Sequence, residues 1–177
     1  MDAWILTGVI FLPAIGVVAI LFIPKERQNA IRITALLASA LTFLLSLVML
    51  SAFDRADPEL QLVVRLPWIR VVDWTLEYHL GIDGLSLLLV LLTTFLTPIS
   101  ILSTWSAVQE RVKEFMAFFL LLEVGMLGVF LALDLFLFYI FWEFTLVPMY
   151  FLIGIWAGSA ACMRRSSSSS TPWLAPS

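Results

Sequence analysis

Two glutamates lie inside long apolar stretches of this sequence, and they are the strongest candidates for chemistry. Glu143 follows Leu135, where its apolar stretch begins, by eight residues, which is about 12 Å along an α-helix. A charge at such a depth in a membrane costs about 2.5–3.5 kcal/mol on insertion scales, and intramembrane carboxyls are rare and usually functional. We therefore predict that Glu143 faces protein or water and exchanges protons, with a hydrogen-bonded structural carboxyl as the alternative.

Glu123 lies in the preceding apolar stretch, about 12 Å from the start of that stretch at Phe115 by the same helical rise. Only Asp134 separates the two stretches, so the helices that contain the two glutamates should be antiparallel neighbours. Glu123 and Glu143 would then lie on either side of the membrane midplane as two stations of a proton path. The alternative for Glu123 is a hydrogen bond to a neighbouring helix.

Pro148 lies in the same stretch as Glu143 and lacks the N–H that would bond the carbonyl of Phe144. A freed carbonyl beside a buried carboxyl can hold water or another donor, so we predict a helix kink beside the site. Asp134 is predicted to cap a helix in the tight outer turn, with an accessory proton role as the alternative. Asp83 is predicted to be an N-cap.

Other residue types that could do chemistry are sparse. His79 is the only histidine, and the sequence offers no second ligand beside it, no cysteine cluster and no glycine-rich phosphate loop, so we predict no metal or cofactor site. The single cysteine, Cys162, allows no internal disulfide. Gly125 and Gly128 are predicted to let two helices pack closely.

The elements that must position these residues follow from the composition, which is 62% hydrophobic and 13% charged with a net charge of −3. A soluble domain is about a quarter charged, so lipid must be the main solvent, and no basic run is present for nucleic acid. A spanning helix needs about 20 mostly apolar residues. The stretches that meet this length are Ala3–Ile23, Ile33–Phe53, Leu85–Thr104, Phe115–Leu133 and Leu135–Trp156. No basic segment precedes the first stretch, so we expect it to be retained rather than cleaved as a signal peptide.

The segment between the second and third stretches is predicted to form a short β-hairpin on the outer face. Gln61–Val64 and Thr75–Leu80 alternate with period two and contain β-branched and aromatic side chains, and Pro67 and Asp73 punctuate the segment. Basic residues follow the first stretch, precede the fourth and follow the fifth, which predicts that these three segments share the cytoplasmic side.

The predicted fold is therefore an all-α integral membrane protein with five transmembrane helices and a small outer β-hairpin. Residues 1–53 form the first two helices, 54–83 the outer loop with the hairpin, 84–158 the last three helices, and 159–177 a disordered Ser-rich tail.

Four motifs resemble one known family. The run WEFTLVPMYFLI at 142–153 resembles the fifth-helix motif of subunit M of bacterial NADH-quinone oxidoreductase, whose mitochondrial counterpart is NADH dehydrogenase subunit 4. The runs at 81–87, 120–123 and 132–138 resemble the same family around its third and fourth helices. The resemblance covers roughly residues 1–158, and the Pro-Met-Tyr segment separates subunit M from the related subunit L and from multisubunit cation/proton antiporters.

The resemblance implies an antiporter-like proton channel in the membrane arm of respiratory complex I, where oxidation of NADH by ubiquinone drives proton translocation. Family members are built from two inverted five-helix repeats, and a Glu on the fifth helix pairs with a Lys on the seventh. Glu143 matches that Glu, and Glu123 matches a carboxylate of the fourth helix. The outer hairpin matches an element that contacts neighbouring subunits.

The resemblance also implies cofactors, partners and location. NADH, flavin, iron–sulfur clusters and quinone are implied to bind other subunits, with none in this chain. The implied partners are the lipid bilayer and other membrane-arm subunits, including antiporter-like homologues, and no nucleic acid. The implied location is the bacterial inner membrane rather than the mitochondrial inner membrane.

After Gly158 the sequence departs from the family pattern and enters a Ser-rich run at 166–170. Plausible codons from Cys162 onward, regrouped in a neighbouring frame, encode a run similar to the family's next helix. We therefore expect a frameshift, with a natural Ser-rich tail as the alternative. The Lys of the seventh helix and the second repeat would then be missing, and we expect that the parent protein pumps protons and that this product does not.

Two other functions stay open at the level of sequence. A multisubunit cation/proton antiporter without redox coupling shares the glutamate of the fifth helix. A structural membrane protein would use Glu123 and Glu143 only for packing.

Overall fold

Five long helices and one β-hairpin form the computed structural model, which describes residues 3–53, 60–71 and 74–157, with the backbone alone for 3, 66–71, 74–77 and 157. In chain order the elements are α1 (Ala3–Phe22), α2 (Gln28–Ala52), β1 (Gln61–Val71), β2 (Trp74–Ile82), α3 (Gly84–Ala107), α4 (Val112–Leu131) and α5 (Leu135–Leu152), and α5 ends in a π-helical turn (Ile153–Ala157). All five helices are long and apolar enough to cross a membrane. The predicted fold class is therefore confirmed, and the predicted tail at 159–177 lies outside the described residues.

The helix bounds differ from the predicted ones mainly at α2, which begins at Gln28 rather than at Ile33. The predicted stretch excludes Arg32, whereas α2 includes it. Arg32 is instead buried at 5% exposure, and its guanidinium donates to the carbonyl of Val108 at the end of α3 with an N···O distance of 2.8 Å. A buried charge with a hydrogen-bond partner can be accommodated inside a helix.

Helix α4 is the centre of the bundle, since it packs against α1, α2, α3 and α5. In the most apolar segment of α4, 50% of the residues are buried, whereas in that of α5 only 11% are buried. Helix α5 packs chiefly on α4 and leaves most of its surface open. A wide apolar face of α5 is therefore available to lipid or to another protein segment.

Two apolar clusters fill the two halves of the bundle. One cluster contains Met49, Val90 and Leu127 and reaches the hairpin, and the other contains Ile31, Ile101 and Leu120. Along each of α2, α3 and α4, buried polar side chains lie between the residues that belong to the two clusters. They are Ser39, Thr42, Ser46, Thr93, Thr94, Thr97 and Glu123. The middle of the bundle is therefore a polar layer between two apolar ones.

Two glycines on α4 allow α5 to approach closely. A Cβ atom added to Gly125 would overlap Thr145, and one added to Gly128 would overlap the ring of Phe141. Small residues at helix interfaces in membranes let the backbones come together and increase packing contacts. The predicted packing role of both glycines is confirmed.

The hairpin is longer than predicted, because β1 continues through Pro67 instead of ending near it. Pro67 pairs with Glu77, and the register shifts between Pro67 and Ile69. In a two-stranded sheet every strand is an edge, and an edge strand tolerates the missing N–H of proline when that position faces outward. Pro67 thus lies within β1 rather than at its end, with a break in the strand register directly after it, while Asp73 lies outside the described residues.

The two ends of the bundle carry different elements. At one end the Leu133 N–H donates to the His79 carbonyl at 2.9 Å, which ties the hairpin to the α4–α5 turn. At the other end Lys25 pairs with Glu114 at 3.1 Å, and the indole of Trp156 donates to the carbonyl of Glu110 at 3.1 Å. The basic segments that the structure describes therefore share one end, as predicted.

Candidate functional site

Glu123 is the buried acid of the bundle. It lies on α4, its exposure is 2%, and neither carboxyl oxygen has a hydrogen-bond partner among the described residues. The hydroxyl of Thr97 on α3 lies beside this carboxyl without forming a hydrogen bond to it. A buried carboxyl without a fixed partner is expensive to ionise, and such a group suits transient proton binding better than permanent structure.

Hydroxyl groups on α2 and α3 form the polar surroundings of Glu123. Thr97 donates to the Thr93 carbonyl at 2.9 Å. The hydroxyl oxygens of Ser46 and Thr94 lie 2.9 Å apart and join the two helices. The hydroxyls of Ser46, Thr94 and Thr97 bond one another or their own helices, whereas both buried oxygens of Glu123 have no partner among the described residues.

Glu143 is exposed on the open side of α5. The hydroxyl of Tyr139, one turn earlier on the same helix, faces its carboxyl, and Tyr139 is itself 57% exposed. Within the described residues the Glu143 side chain therefore points away from the bundle, toward whatever covers α5. Its role as a proton carrier stays a prediction.

Pro148 lies inside α5, as predicted, and its side chain is buried. It lies five residues after Glu143 and cannot bond the carbonyl of Phe144. Beyond it, the N–H of Ile153 donates to the carbonyls of both Met149 and Tyr150, where the helix widens into the π turn. The π turn begins ten residues after Glu143, about 15 Å along the helix, and the kink at Pro148 stays a prediction.

The depths of the two glutamates follow from the packing of α4 on α5. Gly125 lies against Thr145 in this antiparallel pair. Glu123 is two residues from that contact toward the basic end of the bundle, and Glu143 is two residues from it toward the hairpin end. The separation along the helix axes is therefore about 6 Å. The structure brings the carboxyls to neighbouring depths but turns them to different faces.

The two aspartates at helix starts are N-caps. Asp134 accepts from the N–H groups of Phe136 and Leu137 at 2.8 and 3.2 Å, and Asp83 accepts from the N–H of Ser86 at 2.7 Å. The Ser86 hydrogen bond holds the pKa of Asp83 below its usual value. The capping predictions are confirmed, and the accessory proton role of Asp134 stays a prediction.

His79 belongs to the hairpin surface. Its Nε2 accepts a hydrogen bond from Nε of Arg65 at 3.2 Å, and the two residues are cross-strand partners. Among the residues that the structure describes, no group of three or more His, Cys, Asp or Glu side chains is arranged to hold a metal ion.

Sequence reasoning missed the hydroxyl layer and, above all, Thr97. The signal was present in the spacing: Thr93 and Thr97 are four residues apart and share a helix face, as do Thr42 and Ser46. Hydroxyls are common in membrane helices, so that spacing alone does not reveal which one faces a carboxyl.

Comparison with known proteins places this chain among respiratory membrane subunits. The family described as NADH:quinone oxidoreductase/Mrp antiporter, TM, matches residues 132–170, which include Glu143 and Pro148. NADH-quinone oxidoreductase subunit M of Rhodobacter capsulatus is 51% identical over 135 residues, covering 76% of this chain and 25% of the relative. NADH-ubiquinone oxidoreductase chain 4 of Arabidopsis thaliana is 45% identical over 151 residues, covering 85% and 30%.

A third relative, subunit M of Rickettsia conorii, is 41% identical over 154 residues, covering 84% of this chain and 31% of the relative. The chain thus spans between a quarter and a third of the length of these curated relatives. Since most of its residues align with them at this identity, the chain belongs to the family of NADH-quinone oxidoreductase subunit M and NADH-ubiquinone oxidoreductase chain 4.

Proposed function

We propose that this chain is part of a proton-translocating, antiporter-like membrane subunit of NADH:quinone oxidoreductase, in which Glu143 and Glu123 carry protons. The complex oxidises NADH with quinone, and this subunit uses the energy of that reaction to move protons across the membrane. The redox centres belong to other subunits, and the chain contributes to catalysis only through the translocation step.

The observation that carries the proposal is the environment of Glu123. Its carboxyl lies mid-span in the most buried helix, and neither oxygen has a partner among the described residues. A carboxyl kept only for packing would be expected to have its hydrogen bonds satisfied. Its lack of a partner supports transient proton binding over a structural role.

Glu143 extends the path toward the other end of the bundle. It lies on the open side of α5, five residues before Pro148. A charge there is costly when it faces lipid, so we infer that a further protein segment or bound water covers this face. Glu123 and Glu143 are offset by about 6 Å along the helix axes and lie on different faces, so we infer that water and the segment covering α5 complete the connection between them.

The proposed partners are lipid, other membrane-arm subunits and antiporter-like homologues. We place NADH, flavin, iron–sulfur clusters and quinone in those other subunits. The chain is a multi-pass membrane protein, and its bacterial relatives support a location in the bacterial inner membrane. The names of the relatives favour the respiratory complex over a cation/proton antiporter that works without redox coupling.

Substitution of Glu143 tests the proposal. In inside-out membrane vesicles, Glu143→Gln should abolish most NADH-driven acidification, because the amide cannot take up and release a proton. Glu143→Asp keeps the carboxyl and should retain a substantial part of the acidification. Full acidification in vesicles that contain only the Glu143→Gln variant would reject Glu143 as a proton carrier.

Deletion of the gene separates the two transport functions. For a subunit of the respiratory complex, NADH oxidation by quinone and the accompanying acidification should both fall. Retention of full NADH oxidation together with loss of cation tolerance would instead assign the chain to an antiporter.

A further inference from the structure

A cleft at the basic end of the bundle lies apart from the polar layer in its middle. It has a volume of about 420 Å³ and lies between the α1–α2 connection and the start of α4. This volume is within the usual range for pockets that hold small molecules. The residues that line the cleft are Lys25, Gln28, Arg111, Val112, Lys113 and Glu114. Most of these side chains are charged, so the chemistry of the cleft is chiefly electrostatic.

Positive charge is in excess in this cleft. Among the described residues, three cations and one carboxylate line it. The carboxylate belongs to Glu114, which pairs with Lys25 at 3.1 Å, so two positive charges remain in excess. A surface lined by one sign of charge attracts ions of the other sign. The cleft therefore favours an anion over a neutral group or a cation.

The cations of the cleft also have hydrogen-bond donors to spare. The Lys113 ammonium has three N–H groups and uses two of them on carbonyl oxygens at the end of α1, at 2.9 and 2.8 Å. Lys25 donates to Glu114, and the exposed Arg111 forms no salt bridge among the described residues. An arginine can bind one phosphate through two parallel hydrogen bonds. The cleft can thus donate several hydrogen bonds to a single anion.

A buried arginine lies one helical turn deeper than the cleft. Arg32 follows Gln28 by four residues on α2, so the two residues share a face of this helix. Arg32 is 5% exposed, and its guanidinium donates to the Val108 carbonyl at 2.8 Å and lies over the Trp105 ring at 5.7 Å. Within the described part of the chain, its Nε has no hydrogen-bond partner and no carboxylate forms a salt bridge with it. A buried charge is costly unless it is paired, so an anion in the cleft lowers the cost of this one.

The cleft lies where the apolar part of the chain ends. Helix α1 ends at Phe22, and Lys25 follows three residues later. Because α1 is long and apolar enough to cross a membrane, its end corresponds to the boundary between the hydrocarbon core and the headgroups. The side chains of Leu21 and Phe22 are 60% and 84% exposed. A lipid whose phosphate lies in the cleft therefore has apolar protein surface beside its acyl chains.

We propose that this cleft binds the phosphate headgroup of an anionic glycerophospholipid from the surrounding bilayer. Basic pockets between transmembrane helices on the cytoplasmic side are suited to anionic headgroups. The phosphate oxygens accept hydrogen bonds from Arg111, Lys113 and Lys25, and the acyl chains lie on the exposed end of α1. The lipid thereby joins the α1–α2 connection to the start of α4. A zwitterionic lipid binds less tightly, because its own cation faces the positive cleft.

Native mass spectrometry of the full chain in detergent tests the proposal. Equal amounts of phosphatidylglycerol and phosphatidylcholine with the same acyl chains are added, and the bound fraction of each lipid is measured. The unmodified chain should bind phosphatidylglycerol at least about fivefold more tightly, which is the effect of one basic residue near an anionic lipid. Equal binding of the two lipids would overturn the proposal. The measurement uses no NADH, so its outcome is independent of the Glu143→Gln experiment on the proposed function.

Arg111→Gln and Arg65→Gln are a matched pair of variants. Each removes one exposed arginine, but Arg65 lies on the hairpin at the opposite end of the bundle, where it donates to His79. Arg111→Gln should weaken the binding of phosphatidylglycerol about fivefold or more, and Arg111→Lys should restore most of it. Arg65→Gln should leave the binding unchanged. Equal losses in both glutamine variants would show that the net charge of the chain attracts the lipid, and would overturn the assignment to the cleft.

Glu114→Gln gives a change that misfolding cannot produce. It removes a carboxylate from the cleft and releases the ammonium group of Lys25 from its ion pair. Because a phosphate is then repelled less and finds a further donor, phosphatidylglycerol should bind severalfold more tightly. Unchanged or weaker binding in this variant would contradict the proposal.

An excess of inorganic phosphate distinguishes a lipid from a free anion. Inorganic phosphate has the same oxygens but no acyl chains, so it should leave most of the bound phosphatidylglycerol in place. Complete displacement of the lipid would show that the cleft recognises phosphate from solution, and would overturn the assignment to a phospholipid.

Discussion

The ammonium group of Lys113 on α4 binds the C-terminal end of α1, where its Nζ lies 2.9 Å from the carbonyl oxygen of Leu21. The same Nζ lies 2.8 Å from the carbonyl oxygen of Ile23. The last carbonyls of a helix have no partner within it and carry partial negative charge. A lysine of one helix therefore caps another helix that is far away in sequence, and it fixes the basic end of the bundle.

Replacement of Lys113 should destabilise the bundle more than replacement of Lys25. Lys113→Met leaves two helix-end carbonyls without their cation and should lower the free energy of unfolding by about 1.5–3 kcal/mol, the range for hydrogen bonds to charged groups. Lys25→Met removes only the exposed ion pair with Glu114 and should cost less than about 1 kcal/mol. Denaturant unfolding in detergent micelles measures both. Equal losses would mean that the Lys113 contacts do not contribute as described.

Enlargement of Gly128 should force α4 and α5 apart. The added methyl of Gly128→Ala overlaps the Phe141 ring, and overpacking of this kind typically costs about 1–3 kcal/mol. Gly84→Ala is the control, because a Cβ atom there meets nothing within 4 Å. Thermal unfolding in detergent should show a lower midpoint for the first variant alone. A similar midpoint for both would indicate that α5 can move aside freely.

Asp134 should stabilise the chain as a helix cap, and its negative charge should not be needed for proton translocation. Asp134→Ala removes the acceptor for two N–H groups of α5 and should cost about 1 kcal/mol. Asp134→Asn keeps a capping oxygen, and it should preserve both stability and NADH-driven acidification. Loss of acidification in the stable Asp134→Asn variant would support the accessory proton role instead.

Asp83 should give the chain an acid-sensitive component of stability. Its pKa is lowered in the folded chain by the Ser86 hydrogen bond, so its contribution is fully present above the unfolded pKa of about 3.9. That contribution is lost as the pH falls through the lower folded value. Unfolding measured between neutral pH and about pH 3 should therefore be less pH-dependent in Asp83→Asn. An unchanged pH dependence would contradict the capping role.

The sequence was sufficient to predict the elements whose signals are local. Apolar length predicted the five helices, period-two alternation predicted the hairpin, and the residue types at helix starts predicted the caps at Asp83 and Asp134. Each of these depends on a few adjacent residues and on a general preference, so no tertiary contact was needed.

Tertiary packing decided the features that the sequence did not reveal. Whether Glu123 faces the bundle depends on how α4 is rotated against α3. Because α4 carries apolar residues on every side, its sequence does not define that rotation. The inclusion of Arg32 in α2 depends on the Val108 carbonyl, which is 76 positions away in sequence. The open side of α5 around Glu143 likewise follows from which helices pack on it, and only the structure identifies them.

Infrared difference spectroscopy of membranes that oxidise NADH tests most directly whether intramembrane carboxyls change protonation during turnover. We predict carboxyl bands that appear on addition of NADH, of which one is lost in Glu143→Gln and another in Glu123→Gln. Identical carboxyl bands in the unmodified chain and in both glutamine variants would show that neither glutamate takes up or releases a proton during turnover, and would contradict the proposed function.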